Sequence, residues 1–303
     1  MKKLLLGSIL LGYSAMAIDL GNLATASKTG AYYQMGKDLT ELLSQYNINL
    51  KPVNTDGSFE NMSILDGHAV KHKNTYFAIV QKDSISYYNY TQRLNSGKSI
   101  FKKIPAILSL GTEQIHIFTA KDNNFNFKTR KSYKIYCGKR ESGSCITAEY
   151  IEKAYNFDFK YVNTSSDNLE EKLKKGELDL FISVITAPAK KYENRKNVKL
   201  IELPNNLIMD TMYTTSTLNT NTYNWLDVPT KVFSVQKVLM TNLNKKKYEV
   251  VIDSIVKVIL LKRDSLKEKN PKLWKDVDFS YMSYKYFSPI SRNIVSHTFQ
   301  KTF

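Results

Sequence analysis

Two short clusters of small and hydroxylated residues carry most of the chemistry open to this sequence. Thr29-Gly30-Ala31-Tyr32-Tyr33 and Ser142-Gly143-Ser144 each open an amphipathic segment. A helix start presents unpaired backbone N–H groups and a partial positive charge, so it can hold an anion without any bond-breaking machinery. Thr29 would add a hydroxyl, and Tyr32 and Tyr33 aromatic walls, to such a carboxylate clamp. Helix capping and core packing account for the same residues, Ser142 and Ser144 included. Arg140 stands just before the second cluster and can grip a carboxylate bidentately. Its alternatives are a pair with Glu141 or plain exposure to solvent. Gln81 closes the apolar run 77–81 with a polar end, where open α/β sheets place ligands. Ser58 opens a short helix with Asn61 three residues on, and Thr186 follows the run 178–184. These residues form the candidate ligand-binding set.

Other chemistries find little support. His68 and His72 are four apart, as metal ligands on a helix can be, but no third ligand accompanies them. No Ser-His-Asp order, acid–base carboxylate pair or phosphate loop stands out, so no catalytic residue, metal or cofactor is expected. Cys137 and Cys145 are the two cysteines of the chain. In an oxidising compartment a pair this close is expected to be bridged. Two buried thiols are the alternative, since one ends a strand and the other starts a helix. Cα atoms more than about 7 Å apart cannot be joined.

The elements that must position these residues repeat. The first copy runs from Thr29-Gly30 through a helix to Asn54-Thr55, a short helix to Leu65, Gly67 and the apolar run 76–80. The second runs from Ser142-Gly143 through a helix to Asn163-Thr164, a short helix to Leu173, Gly176 and the run 178–184. Each reads as strand, turn, helix, strand, helix, strand, the pattern of a parallel α/β sheet. The expected architecture is therefore α/β, with two βαβ lobes joined by hinge strands. Residues 18–113 and 214–303 form lobe 1 and 114–213 form lobe 2. An amphipathic helix near 245–261 docks by its apolar face.

Met1-Lys2-Lys3, the apolar stretch to Ala15 and Ala15-Met16-Ala17 read as a secretory signal peptide, residues 1–17, which places the mature chain in the periplasm. The 303 residues suffice for two cores, and no second hydrophobic span follows the leader. The formal charge is +16, or +14 without Lys2 and Lys3. A basic surface favours anionic partners, but lysine is spread along the chain instead of gathered on one face, so nucleic acid is not an expected partner.

In this order the motifs resemble those of the TAXI-type solute receptors of TRAP transporters, periplasmic binding proteins of the type 2 fold. The matching runs are Leu23 to Tyr33 with Gly36, Asn54 to Asn61, Phe77 to Asp83, Gly138 with Ser142-Gly143-Ser144 and Thr147 to Glu149, and Leu218 to Tyr223. The chain departs from the family at Lys139-Arg140-Glu141 and over residues 68–75. The resemblance implies a monomer without catalysis that captures a small organic anion, such as an amino acid or dicarboxylate, by closing two lobes. It also implies handover to a TRAP membrane permease. Sensing for a membrane kinase or chemoreceptor would use the same cleft, and an enzyme on this fold is a further alternative.

Overall fold

A computed structural model describes residues 17–277, with 70, 101–103, 126, 128–130 and 275–276 excepted. The expected leader, apart from Ala17, and the tail from 278 onward lie outside the described residues. The first lobe begins with β1 (Ile18–Ala24), α1 (Ala31–Ser44), β2 (Ile48–Val53), α2 (Ser58–Leu65) and β3 (Thr75–Gln81), followed by α3 (Lys82–Ser96). After the long strand β4 (Ala106–Ala120) the same order returns. It runs β5 (Ser132–Tyr136), α4 (Gly143–Tyr155), β6 (Asp158–Tyr161), α5 (Leu169–Lys174) and β7 (Leu180–Ile185). The remainder holds β8 (Val198–Leu200), α6 (Leu207–Met212), β9 (Thr214–Leu218), β10 (Thr230–Thr241), α7 (Glu249–Leu261), α8 (Arg263–Lys269) and α9 (Pro271–Trp274).

Strand pairing reproduces the sequence repeat. β1 lies parallel between β2 and β3, and β5 lies parallel between β6 and β7. The strand order is β2-β1-β3-β10-β4-β7-β5-β6, so one sheet runs through both lobes. At its centre β10 and β4 are antiparallel to each other and serve as the hinge strands. β4 runs without interruption from one lobe into the other. Gly111 takes a left-handed φ of 86°, and the β4–β10 register shifts opposite Lys237. That is a bulge at the point where the chain passes from one lobe to the other, a conformation glycine adopts without strain.

The cores place the second crossing differently from the expected boundary near 214. Leu218, Tyr223, Trp225, Leu226 and Val232 are buried with Phe118, Phe181 and Tyr192 of lobe 2. Tyr213, Phe233 and Val235 join Ile117, Ile135, Cys145 and Ile182 on the opposite face of that sheet. The first-lobe core resumes only at Val238 and continues through α7 to Trp274. The return therefore runs along β10, near Gln236. Neighbouring residues Ile117 and Phe118 belong to different clusters because strand side chains alternate between faces.

Helix ends follow local chemistry. Ser142 caps α4 by accepting the Cys145 amide at 3.3 Å, and Asn156 closes that helix in the left-handed region. Ser58 does not cap α2, as its sequence position suggests; Gly57 occupies the cap, and Ser58 is the first helical residue. Gly57 at φ 123° adopts a backbone that a side chain there would strain. Asn61 is fully buried and bonds Thr25 O and Ile79 O, tying α2 to β1 and β3. Among the described residues no helix is long and apolar enough to cross a membrane.

Candidate functional site

The seam between the lobes is filled by buried polar side chains. At the C-terminal end of β3, Gln81 donates to Asp83 Oδ1 at 2.7 Å, to Thr147 Oγ1 at 2.8 Å and to Gly143 O at 3.3 Å. Thr147 and Gly143 belong to α4, so one side chain of lobe 1 is held by the first turns of a lobe 2 helix. The approach is tight: a Cβ on Gly143 would lie 2.4 Å from Gln81 Oε1. Gln81 N in turn donates to Ser58 Oγ at 3.0 Å, which is the role the structure gives that hydroxyl.

Asp83 is wholly buried. Its Oδ1 accepts from Gln81 and from Ser84 N, and its Oδ2 accepts from Thr147 Oγ1 at 2.6 Å and Tyr213 OH at 2.8 Å. Burial pushes its carboxyl above the usual range, and the four donors pull back toward the ionised form. A second buried carboxylate, Glu113 on β4, accepts from Tyr32 OH at 2.7 Å. Burial raises Glu113 as well, opposed first by the charge of Lys237 and then by the Tyr32 hydroxyl. Lys237 itself is 1 % exposed and donates to Thr186 Oγ1 at 2.8 Å.

The expected residues thus divide. Tyr32, Ser58, Gln81, Gly143 and Thr186 come together in or beside this seam. Thr29 is exposed, with its hydroxyl 3.5 Å from that of Ser27, and Gly30 caps α1 without a side chain. Tyr33 is half-buried on α1, whereas Tyr32 is buried. Ser142 is a helix cap, and Ser144 Oγ accepts from Val184 N at 3.0 Å, fastening α4 to β7. Arg140 is 60 % exposed; it pairs with Glu149 at 3.4 Å, not with Glu141, and lies over the Tyr161 ring at 3.8 Å. Cys137 and Cys145 are joined by a disulfide with Cα atoms 4.9 Å apart, which ties the end of β5 to the first turn of α4. His68 and His72 fall beyond the end of α2, so helical spacing does not align them; His68 pairs with Asp66 at 3.3 Å. Among the described residues no cluster of three His, Cys, Asp or Glu side chains could hold a metal.

Sequence reasoning left out Asp83, Glu113, Thr147, Tyr213 and Lys237 as site residues. Two of them had signals: Asp83 follows Gln81 at a strand end, and Lys237 is a cation within the mostly apolar run 232–240. As a whole the seam holds one buried ammonium, two buried carboxylates and several hydroxyls between two lobes. Such a set can bind and orient a small polar molecule. His116 is committed elsewhere, with Nδ1 at 3.0 Å from Gln114 O and Nε2 at 3.0 Å from Tyr223 OH.

A family profile described as the NMT1-like family matches residues 23–280. No curated protein matches the sequence significantly. Among solved structures, the chain is similar to a TctC solute binding protein from Polaromonas, at 12 % identity and TM-score 0.54, covering 96 % of this chain and 100 % of that one. It is similar to the periplasmic binding protein BugD, at 11 % identity and TM-score 0.55, covering 95 % and 98 %. A third is the probable amino-acid ABC transporter extracellular-binding protein ytmK from Bacillus subtilis, at 14 % identity and TM-score 0.51, covering 86 % and 99 %. These likenesses show a two-lobed α/β fold of the type 2 periplasmic binding proteins.

Proposed function

The chain belongs to the NMT1-like family, and from that membership and its buried interlobe seam we infer that it is a periplasmic solute-binding protein serving a membrane transporter. The observation that carries this reading is the grouping of Lys237, Glu113 and Asp83, with Tyr32, Gln81 and Thr147, between lobes joined by two hinge strands. Burying charge is costly, and such groups persist where they are paired or where they have a binding role. The Polaromonas solute binding protein and the probable amino-acid extracellular-binding protein of Bacillus subtilis, which share the fold, agree with the reading.

The solute is a small organic anion, and within that class an amino acid fits better than a dicarboxylate. A carboxylate would be drawn to Lys237 and to the helix starts of α1 and α4. A second carboxylate would meet Glu113 or Asp83, whereas an ammonium group would be attracted to them. The protein acts as a monomer and delivers its solute to a TRAP-type permease, as the ordered motifs of the TAXI resemblance suggest.

Thermal-shift titration of solute-free protein tests the class. A solute at a hundredfold its dissociation constant should stabilise the fold by about 2.7 kcal/mol. Amino acids should shift the melt, dicarboxylates less so and neutral sugars not at all. A screen in which no amino acid or organic acid shifts it rejects the reading. Uptake in cells expressing the chain with a TRAP permease, lost on deleting either, tests the partner.

A further inference from the structure

The two oxygens of the Asp83 carboxylate serve different lobes. Oδ1 takes its donors from lobe 1, the Gln81 amide at 2.7 Å and the Ser84 backbone N–H at 2.6 Å. Oδ2 takes its donors from lobe 2, the Thr147 hydroxyl at 2.6 Å and the Tyr213 hydroxyl at 2.8 Å. Thr147 lies on α4, and Tyr213 stands between α6 and β9, so two separate parts of lobe 2 converge on one atom. Asp83 and Thr147 show no exposed surface, and Tyr213 is 3 % exposed. Both bonds to Oδ2 are thus made out of water, where a bond to a charged acceptor is strongest.

We propose that Asp83 is a built-in closure latch, a carboxylate of lobe 1 that holds lobe 2 through the Thr147 and Tyr213 hydroxyls independently of any solute. An anion that bridges two lobes is the task otherwise given to a bound molecule; here the chain supplies one itself. The closed form is then well populated before binding, and the apparent affinity for solute rises with that population. Opening would strip Oδ2 of both hydroxyl donors and leave it to water, while Oδ1 keeps its own. The bonds of Asp83 within lobe 1 survive opening, and Gln81 gives up only its own bonds to Thr147 and Gly143. The latch rests on the two-lobed fold and not on the class of solute.

Small-angle X-ray scattering of solute-free protein tests this, the protein being stripped by dialysis in guanidinium with its disulfide intact and then refolded. Thr147→Val with Tyr213→Phe removes both donors to Oδ2, together with one acceptor of the Gln81 amide, and leaves the Gln81 and Ser84 bonds to Oδ1; Tyr213→Phe alone removes a donor to Oδ2 and no partner of Gln81. Wild type should scatter with the dimensions of the closed structure. The double variant should show a larger radius of gyration, its open-to-closed ratio raised roughly tenfold to a hundredfold for each bond lost. Thr147→Ser, which keeps the hydroxyl, should scatter as wild type. If the double variant melts without cooperativity, Tyr213→Phe alone becomes the readout and should open in the same direction to a smaller extent. Variants as compact as wild type, or a wild type that is already open, overturn the latch. No solute enters the measurement, so a failed solute screen does not affect it.

Discussion

Gly143 and Gln81 sit so close across the lobe seam that a methyl group on Gly143 would lie 2.4 Å from Gln81 Oε1 and 3.0 Å from its Cδ. Gln81 cannot swing aside freely, because its amide is buried and donates to Asp83, Thr147 and Gly143 O. Glycine at 143 is thus required by close approach between a helix start and a strand end. Its role is steric before it is anion-binding.

Gly143→Ala should displace the Gln81 amide and break its interlobe bonds, lowering stability by about 1–3 kcal/mol in denaturant melts. In the double variant Gly143→Ala/Gln81→Ala the clash has nothing to strike. Its cost should fall clearly below the sum of the single changes. Strict additivity would mean that the two residues do not compete for this space.

The Cys137–Cys145 bridge closes a short loop around the turn that caps α4. Reduction frees only that loop, so replacing both cysteines with serine should cost about 2.5 kcal/mol on the chain-entropy scale. Equilibrium unfolding of the double serine variant measures it. Intact mass after alkylation without reductant should show no modified thiol in periplasm-derived protein.

What could be read in the sequence and what could not follow from range. The βαβ repeat was legible because each element carries its own periodicity, from the α1 stripe of Tyr32, Met35, Leu39 and Leu43 to the apolar runs of β3 and β7. Gln81 was legible as a polar end on a buried strand. Asp83 reaches Tyr213 across 130 residues of sequence, and no local pattern announces such a partner. Arg140 had Glu141 beside it in sequence, but the turn carries it to Glu149 on α4 and to Tyr161 on β6. The second lobe crossing is hidden in the sequence for a physical reason as well. β10 is buried along nearly its whole length, so nothing in its composition marks where one core ends and the next begins.

His116 should make the fold sensitive to mild acid. Its ring is fully buried, and desolvation holds its pKa down at about 4. Gln114 O can only accept, so the neutral ring carries its proton on Nδ1 and Nε2 accepts from Tyr223 OH, whose oxygen in turn accepts the Ala189 amide at 3.1 Å. Unfolded, the ring titrates near 6.5. The unfolded chain therefore binds more protons between the two values. The stability that His116 contributes is complete above about pH 6.5 and drains away as pH falls toward 4, by about 3 kcal/mol. Urea melts across that range should show the loss, and His116→Phe should flatten it even if the variant is less stable at neutral pH. An unchanged slope in the variant would assign the acid sensitivity to other groups.

Lys237 and Glu113 should behave as a coupled pair. Both are buried, and the ammonium is the largest charge opposing the desolvation of the carboxylate. Lys237→Met removes that charge and leaves Glu113 held only by Tyr32 among the donors described above, so it should cost about 3–5 kcal/mol at neutral pH. Much of this is the penalty of an unpaired buried carboxylate. Adding Glu113→Gln should therefore restore part of the loss, and the double variant should be more stable than Lys237→Met alone. The pH dependence should carry the same signature. Glu113 has its pKa raised in the folded state, so it favours the fold most when protonated and progressively less as pH climbs through its raised value. Without Lys237 that pKa should rise further, and Lys237→Met should lose more stability than wild type, over a wider span of pH, as pH increases from the acid side. Denaturant melts of the four proteins of this cycle over pH decide the matter. If Glu113→Gln gives no rescue in the Lys237→Met background, the two charges are not coupled.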